Sequence, residues 1–152
     1  GCSSVSLADD MGVPVSLVPV AVKAFQEIAA RYNVTVATYG HASDGNLHTK
    51  MVIDPTDKDE WDRGVKAVNE IFDVCIELGG TVTGEHGVGL SKAPNFMKER
   101  ESEISSIRAI KKAMDPENIL NPGKLEQWTG PFLRDLRYPC PEYMGDSPAV
   151  RE

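Results

Sequence analysis

The chain has 152 residues, 41% of them hydrophobic and 26% charged, an ordinary balance for a soluble domain long enough to build a real core. A net charge of −7 and an isoelectric point near 5.0 argue against a nucleic-acid or anionic-membrane surface, and no apolar run approaches the ~20 residues of a membrane span. Cys2, Cys75 and Cys140 are scattered and lack CxxC spacing, which argues against a disulfide framework or a cysteine-held metal and for a reducing, cytoplasmic setting.

Gly1-Cys2-Ser3-Ser4 has neither the basic start nor the apolar stretch of a signal peptide, and a start without methionine reads as cut from something longer. Met11 to Val15 predicts a short strand or edge segment. Ser16 is then the expected N-cap of a helix that tolerates Pro19 in its first turn. Ala21, Val22, Phe25, Ile28 and Ala29 follow helical spacing, with Lys23, Glu27 and Arg31 opposite, and the helix is expected to end near Tyr32-Asn33. Val34 to Tyr39 is β-branched and aromatic and predicts a strand that delivers His41. Leu47 to Ile53 is the return strand.

Asp44-Gly45 is the strongest hairpin-turn dipeptide in the chain. A two-residue turn centred there makes Ser43 face Asn46, Ala42 face Leu47 and His41 face His48, with opposed Cβ atoms ~4.5–5.5 Å apart. That separation suits either an ordinary polar cross-strand pair or two ligands of one metal ion.

Asp54-Pro55 breaks the return strand, and Thr56 with Asp59 resembles a capping box. The helix that follows turns Trp61, Val65, Val68, Phe72, Cys75 and Ile76 towards the core and closes at Gly79-Gly80. Cys75 on this stripe reads as a core residue. Thr81 to Thr83 predicts a brief strand delivering Glu85 and His86. The glycines of Gly84-Glu85-His86-Gly87-Val88-Gly89 remove side-chain bulk and leave room for a flat ligand or another backbone. The spacing matches neither GxGxxG nor a P-loop. Residues 90–98 predict a short helix interrupted at Pro94, and Ile104, Ile107, Ile110 and Met114 predict a helix over 101–114, ahead of Asp115-Pro116. Residues 126–152, with Trp128, Phe132, Tyr138 and Tyr143, read as an irregular tail lying extended on a surface.

The order strand–helix–strand–strand–helix–strand predicts an α+β fold. Its form is a ferredoxin-like split βαβ arrangement, with an antiparallel sheet, helices on one face and extra C-terminal helices. All three histidines lie in two glycine-rich loops, with Glu85 beside one of them. Two imidazoles and a carboxylate with an open position are a recurrent recipe for a catalytic metal. A tight glycine turn carrying a solvated Glu and His remains the plain alternative.

The stretches Gly-His-Ala-Ser-Asp-Gly-Asn-Leu-His (40–48) and Gly-Glu-His-Gly-Val-Gly (84–89), then Asp115-Pro116 and Asn121-Pro122-Gly123-Lys124, carry a family likeness. They resemble the C-terminal domain of FAD-linked oxidases, the glycolate oxidase subunit, D-lactate and D-2-hydroxyglutarate dehydrogenase group of the vanillyl-alcohol oxidase superfamily. The likeness runs from about Met11 to Leu125, so residues 1–125 are expected to form the substrate and metal domain, incomplete at its N-terminus. The FAD-binding domain that normally precedes this region is absent from the sequence.

The resemblance implies that FAD, bound mainly by that other domain or subunit, takes a hydride from a D-2-hydroxy acid of lactate or glycolate type. It implies a divalent metal, zinc or similar, on His41, His48 and Glu85, and His86 as the base that removes the hydroxyl proton. Lys50 stands where family members often have a substrate-holding Asn, and Ser43 replaces a usual glycine. Asn121 matches a position of the family's terminal turn, on the cofactor side. The chain alone is expected to be inactive and to expose an apolar face where the flavin domain docks. It is expected in the cytoplasm, reaching a membrane only through partner subunits; the electron acceptor is not written in the residues. A flavin-free, ferredoxin-like metal-binding or assembly module is the alternative, and a metal-dependent hydrolase a more remote one.

Overall fold

The computed structural model describes residues 3–54, 56–89 and 91–122. The expected tail 126–152 lies outside the described residues. Three strands, β1 (Ser3–Gly12), β2 (Thr35–His41) and β3 (Asn46–Ile53), form a sheet in the order β1-β3-β2, with both pairings antiparallel. β1 and β2 therefore run the same way, joined by α1 (Val18–Arg31), and β3 inserts between them. This is the split βαβ arrangement expected from the element order. The fourth strand is reduced to one antiparallel bridge on the free side of β1. There Gly12 N–H donates to the Thr81 carbonyl at 2.9 Å and Thr81 N–H to the Gly12 carbonyl at 2.8 Å.

α1 and α2 (Lys58–Glu77) pack on one face of the sheet. Phe25 and Ile28 from α1, Trp61, Val68, Ile71 and Phe72 from α2, and Met11, Leu47, Met51 and Ile53 from the sheet form the core. Each such side chain contributes about 1.5–3 kcal/mol by leaving water. Side chains alternate along a strand, so β3 sends Leu47, Met51 and Ile53 to the helices and Asn46, His48 and Lys50 to the opposite face. That second face carries the site.

Several local signals resolve differently in the fold. The segment expected as a strand over 11–15 ends at Gly12, and Pro14 leads into a 3-10 turn, Val15–Leu17. α1 thus has Leu17 at its N-cap without a side-chain cap; Ser16 falls inside the turn, while Pro19 keeps its place in the first helical turn. α2 is capped by Asp57, not Thr56: its carboxylate accepts N–H bonds from Asp59 at 2.9 Å and Glu60 at 3.1 Å. Thr56 instead donates through its N–H and hydroxyl to Asp54, at 2.9 and 2.7 Å. Pro94 opens α3 (Ala93–Glu99) in its first turn, where its missing N–H costs nothing.

The last helix, α4 (Ile104–Met114), buries Ile104 but leaves Ile110 64% and Met114 78% exposed. Ile119 and Leu120, after the helix, are exposed as well. No described helix is long and apolar enough to cross a membrane.

Candidate functional site

β2 and β3 deliver the first two histidines through a register other than the Asp-Gly signal predicts. Tyr39 faces His48, and His41 faces Asn46. The loop holds four residues, 42–45, closed by N–H bonds from Asp44 and Gly45 to the His41 carbonyl at 3.2 and 3.1 Å. A contact with another element explains the shift. The Gly45 carbonyl accepts a bond from Val13 N–H at 3.0 Å, and a Cβ on Gly45 (φ +79°) would stand 2.0 Å from the Val13 carbonyl. The loop tip is thus seated on the exit of β1. Because the register moves by an even number of residues, His41 and His48 stay on one face. They meet diagonally, with ring centroids 5.7 Å apart and planes near perpendicular.

The second loop crosses this pair. Glu85 Oε1 lies 3.7 Å from His41 Nε2, 3.4 Å from His48 Nε2 and 3.7 Å from His86 Nε2. The His86 ring stacks on His48 at 5.2 Å, and Tyr39 leans on His48 at 5.3 Å. His48 is buried, whereas His41, Glu85 and His86 are each about half exposed, so the cluster opens on one side.

Asp10 holds the second loop in place. It is fully buried on β1, inside the register irregularity between Ala8 and Met11, with a left-handed φ of +72°. Oδ1 accepts from Glu85 N–H at 2.7 Å; Oδ2 accepts from His86 N–H at 2.8 Å, the Thr83 hydroxyl at 3.1 Å and Lys92 Nζ at 3.0 Å. Its carbonyl accepts from Lys92 Nζ at 2.8 Å and from Gly84 N–H at 3.2 Å. Burial opposes ionisation of this carboxyl, but the His86 and Glu85 N–H groups and the Lys92 ammonium together outweigh it, holding the group well below the usual carboxylate range. These bonds also explain why the expected strand 81–83 stops after one bridge: the chain turns to meet Asp10. Gly84 is needed at the crossing, since a Cβ there would stand 2.9 Å from both Asn46 Oδ1 and Asp10 Oδ1. Gly87 (φ +78°) and Gly89 (φ +56°) then turn the chain around an open cavity of about 180 Å³ between His86 and Lys92.

The donor set suits a borderline divalent metal. Two ligands about 2.1 Å from one tetrahedral ion are separated by about 3.4 Å, close to the imidazole–Glu85 distances of 3.4–3.7 Å. The compact group of ligand atoms within 4.8 Å of one another is Asp10, His48, Glu85 and His86. Both Asp10 oxygens are already engaged by N–H, hydroxyl and ammonium donors.

The other expected site residues are placed as follows. Lys50 lies two residues beyond His48 on β3 and sets its ammonium 5.7 Å from the Tyr39 ring centre, beside the cluster. Asn121 is exposed after α4, and no contact among the described residues joins it to the histidines. Asp10 and Lys92 were missed from sequence, as was Tyr39. The available signal was Asp10 itself, a charge just ahead of Met11 in a strand-forming stretch, where carboxylates are disfavoured.

Residues 3–125 match the family described as FAD linked oxidases, C-terminal domain. The chain is 50% identical over 133 residues to the glycolate oxidase subunit GlcD of Bacillus subtilis, covering 87% of this chain and 27% of that protein. It is 34% identical over 130 residues to a probable mitochondrial D-lactate dehydrogenase of Danio rerio, covering 85% and 26%. It is also 34% identical over 122 residues to a D-2-hydroxyglutarate dehydrogenase of Stutzerimonas stutzeri, covering 77% and 26%. The chain spans about a quarter of the length of these relatives.

Proposed function

The chain belongs to the family of C-terminal domains of FAD-linked oxidases, and from that premise we propose that it is the substrate- and metal-binding part of an FAD-dependent dehydrogenase or oxidase of D-2-hydroxy acids. The observation that carries this reading is the convergence of three imidazole Nε2 atoms within 3.4–3.7 Å of Glu85 Oε1 on the open face of the sheet. The names of the relatives supply the substrate class, a small 2-hydroxy acid.

In this reading His41, His48 and Glu85 would hold a divalent metal, zinc by its donors, which supplies Lewis acidity toward the substrate hydroxyl and carboxylate. FAD, held mainly by a partner domain or subunit, supplies the hydride acceptor. His86 takes the hydroxyl proton; its ring stacks on His48 at 5.2 Å, which fixes its plane beside the metal ligands. His48, buried beneath Tyr39 and His86, orients the cluster from below. Lys50 pairs with a substrate carboxylate by its position on the same face as His48. Asn121 would meet the cofactor side, and the uncovered α4 surface of Ile110 and Met114 suits a partner domain.

The test is elemental analysis and zinc titration of the chain, alone and with its FAD-binding domain. One equivalent of metal that is lost in His41→Ala and in Glu85→Ala, and kept in His86→Ala, supports the assignment. Metal kept in His41→Ala but lost in His86→Ala moves the third ligand to His86, the arrangement that the compact Asp10, His48, Glu85 and His86 group favours. No metal in either preparation refutes the metal reading and leaves the histidines serving only the hairpin.

A further inference from the structure

We propose that Asp10 is a positioning residue for this site, setting where the Glu85 carboxylate and the His86 imidazole stand by gripping the backbone N–H groups of both. The inference rests on the reading of Glu85 and His86 as metal ligand and base. The two N–H groups are consecutive, and each takes its own carboxylate oxygen, at 2.7 and 2.8 Å. That pairing fixes the orientations of two successive peptides, 84–85 and 85–86, and with them the direction in which the Glu85 side chain leaves the backbone and the point from which His86 starts. Charge-assisted bonds of this kind are about twice as strong as neutral ones. Lys92 locks the carboxylate from its other side by bonding both Oδ2 and the Asp10 carbonyl.

The backbone of β1 is shaped for this task. Asp10 holds a left-handed φ of +72°, unfavourable for a residue with a Cβ, and the sheet pairing is irregular between Ala8 and Met11. A regular strand would send the side chain along the alternation of its neighbours. The irregularity re-aims it into the loop, the use to which strand bulges are put beside active sites. A residue serving stability alone would need neither the strained conformation nor bonds to two successive amides that carry the reactive side chains. Asparagine at this position offers one acceptor oxygen where two N–H groups need one each.

The experiment uses the full 152-residue chain and reads amide hydrogen exchange and zinc affinity in Asp10→Asn. Because that change removes the carboxylate paired with the buried Lys92 ammonium, the companion variant Asp10→Asn/Lys92→Met removes both charges. In both variants exchange at Glu85 and His86 rises by about tenfold or more relative to the β2–β3 amides, which report the stability of the whole domain. Zinc affinity falls about 10- to 100-fold, as when other groups that orient metal ligands are lost. Exchange at 85 and 86 that moves only in step with the β2–β3 amides overturns the proposal and leaves Asp10 a purely structural residue. Wild-type chain that binds no zinc, either alone or with its FAD-binding domain, refutes the metal reading instead, and the exchange comparison then decides the role of Asp10 by itself.

Discussion

Gly40→Ala tests whether the two histidine-bearing strands are held together as tightly as their backbones indicate. Gly40 precedes His41 and pairs with Leu47 across the hairpin. A Cβ at Gly40 would stand 2.2 Å from the Asn46 carbonyl oxygen and 3.0 Å from the Leu47 Cα. Atoms in contact prefer about 3.5 Å, so the strands must part by roughly 1 Å beside the site. Such overpacking costs about 1–3 kcal/mol. The φ of +149° at Gly40 is a second obstacle, worth about 1–3 kcal/mol for a residue with a side chain. The expected loss is therefore about 2–6 kcal/mol, a large part of the ~5–15 kcal/mol that holds a domain folded.

Gly79→Ala is the matched control. Gly79 also has a positive φ, +73°, but a Cβ there meets nothing within 4 Å, so it bears only the conformational cost of about 1–2 kcal/mol. Urea unfolding of the two variants, at unchanged m-value, separates the steric contribution from the conformational one. Gly40→Ala is expected to be less stable than Gly79→Ala by about 1 kcal/mol or more. Equal losses would refute the close backbone approach at Gly40 and the diagonal meeting of His41 and His48 that depends on it.

Asp115 gives a pH prediction. The Lys111 ammonium, opposed by burial and aided by the Leu120 and Ile119 N–H groups, holds its carboxyl below the usual range. A depressed folded pKa means that the stabilisation is present above the unfolded value of about 3.9 and is lost as pH falls through the folded value. Asp115→Asn should lower stability at pH 7 and flatten the acid limb of urea midpoints between about pH 5 and 2; parallel limbs for the two proteins would sink the idea. Burial, with a smaller push from Glu99, raises the Cys75 thiol to about 12, so native chain treated with iodoacetamide at about pH 8 should leave Cys75 unlabelled in peptide maps. Labelling of Cys75 at the rate of an exposed thiol would contradict its place in the core.

The two core helices were legible because their signals are local and redundant. Phe25, Ile28 and Ala29, then Trp61, Val68, Phe72 and Cys75, repeat at helical spacing, and Gly79 closes α2 with a positive φ that only glycine adopts without strain. Cap positions were less legible. Asp57 and Thr56 are adjacent, both able to cap, and the choice between them turns on Asp54, which occupies the Thr56 hydroxyl. The stripe of α4 was legible as a periodicity, while the exposure of Ile110 and Met114, which have no cover among the described residues, is a matter of tertiary packing.

The sequence by itself determined the chemistry of this protein: which donors exist, that two glycine-rich loops carry them, and which family's motifs they spell. The Asp44-Gly45 turn signal also put His41 and His48 on one face of a hairpin, a result that survives any even shift of register. Tertiary structure alone decided the register, through the Val13–Gly45 contact, and the position of Glu85 and His86, through a carboxylate 75 residues earlier in the chain. Turn propensities and side-chain periods act over a few residues, so they fix what each segment offers. A hydrogen bond between distant segments forms only after the core has brought them together, and nothing in either segment announces its partner.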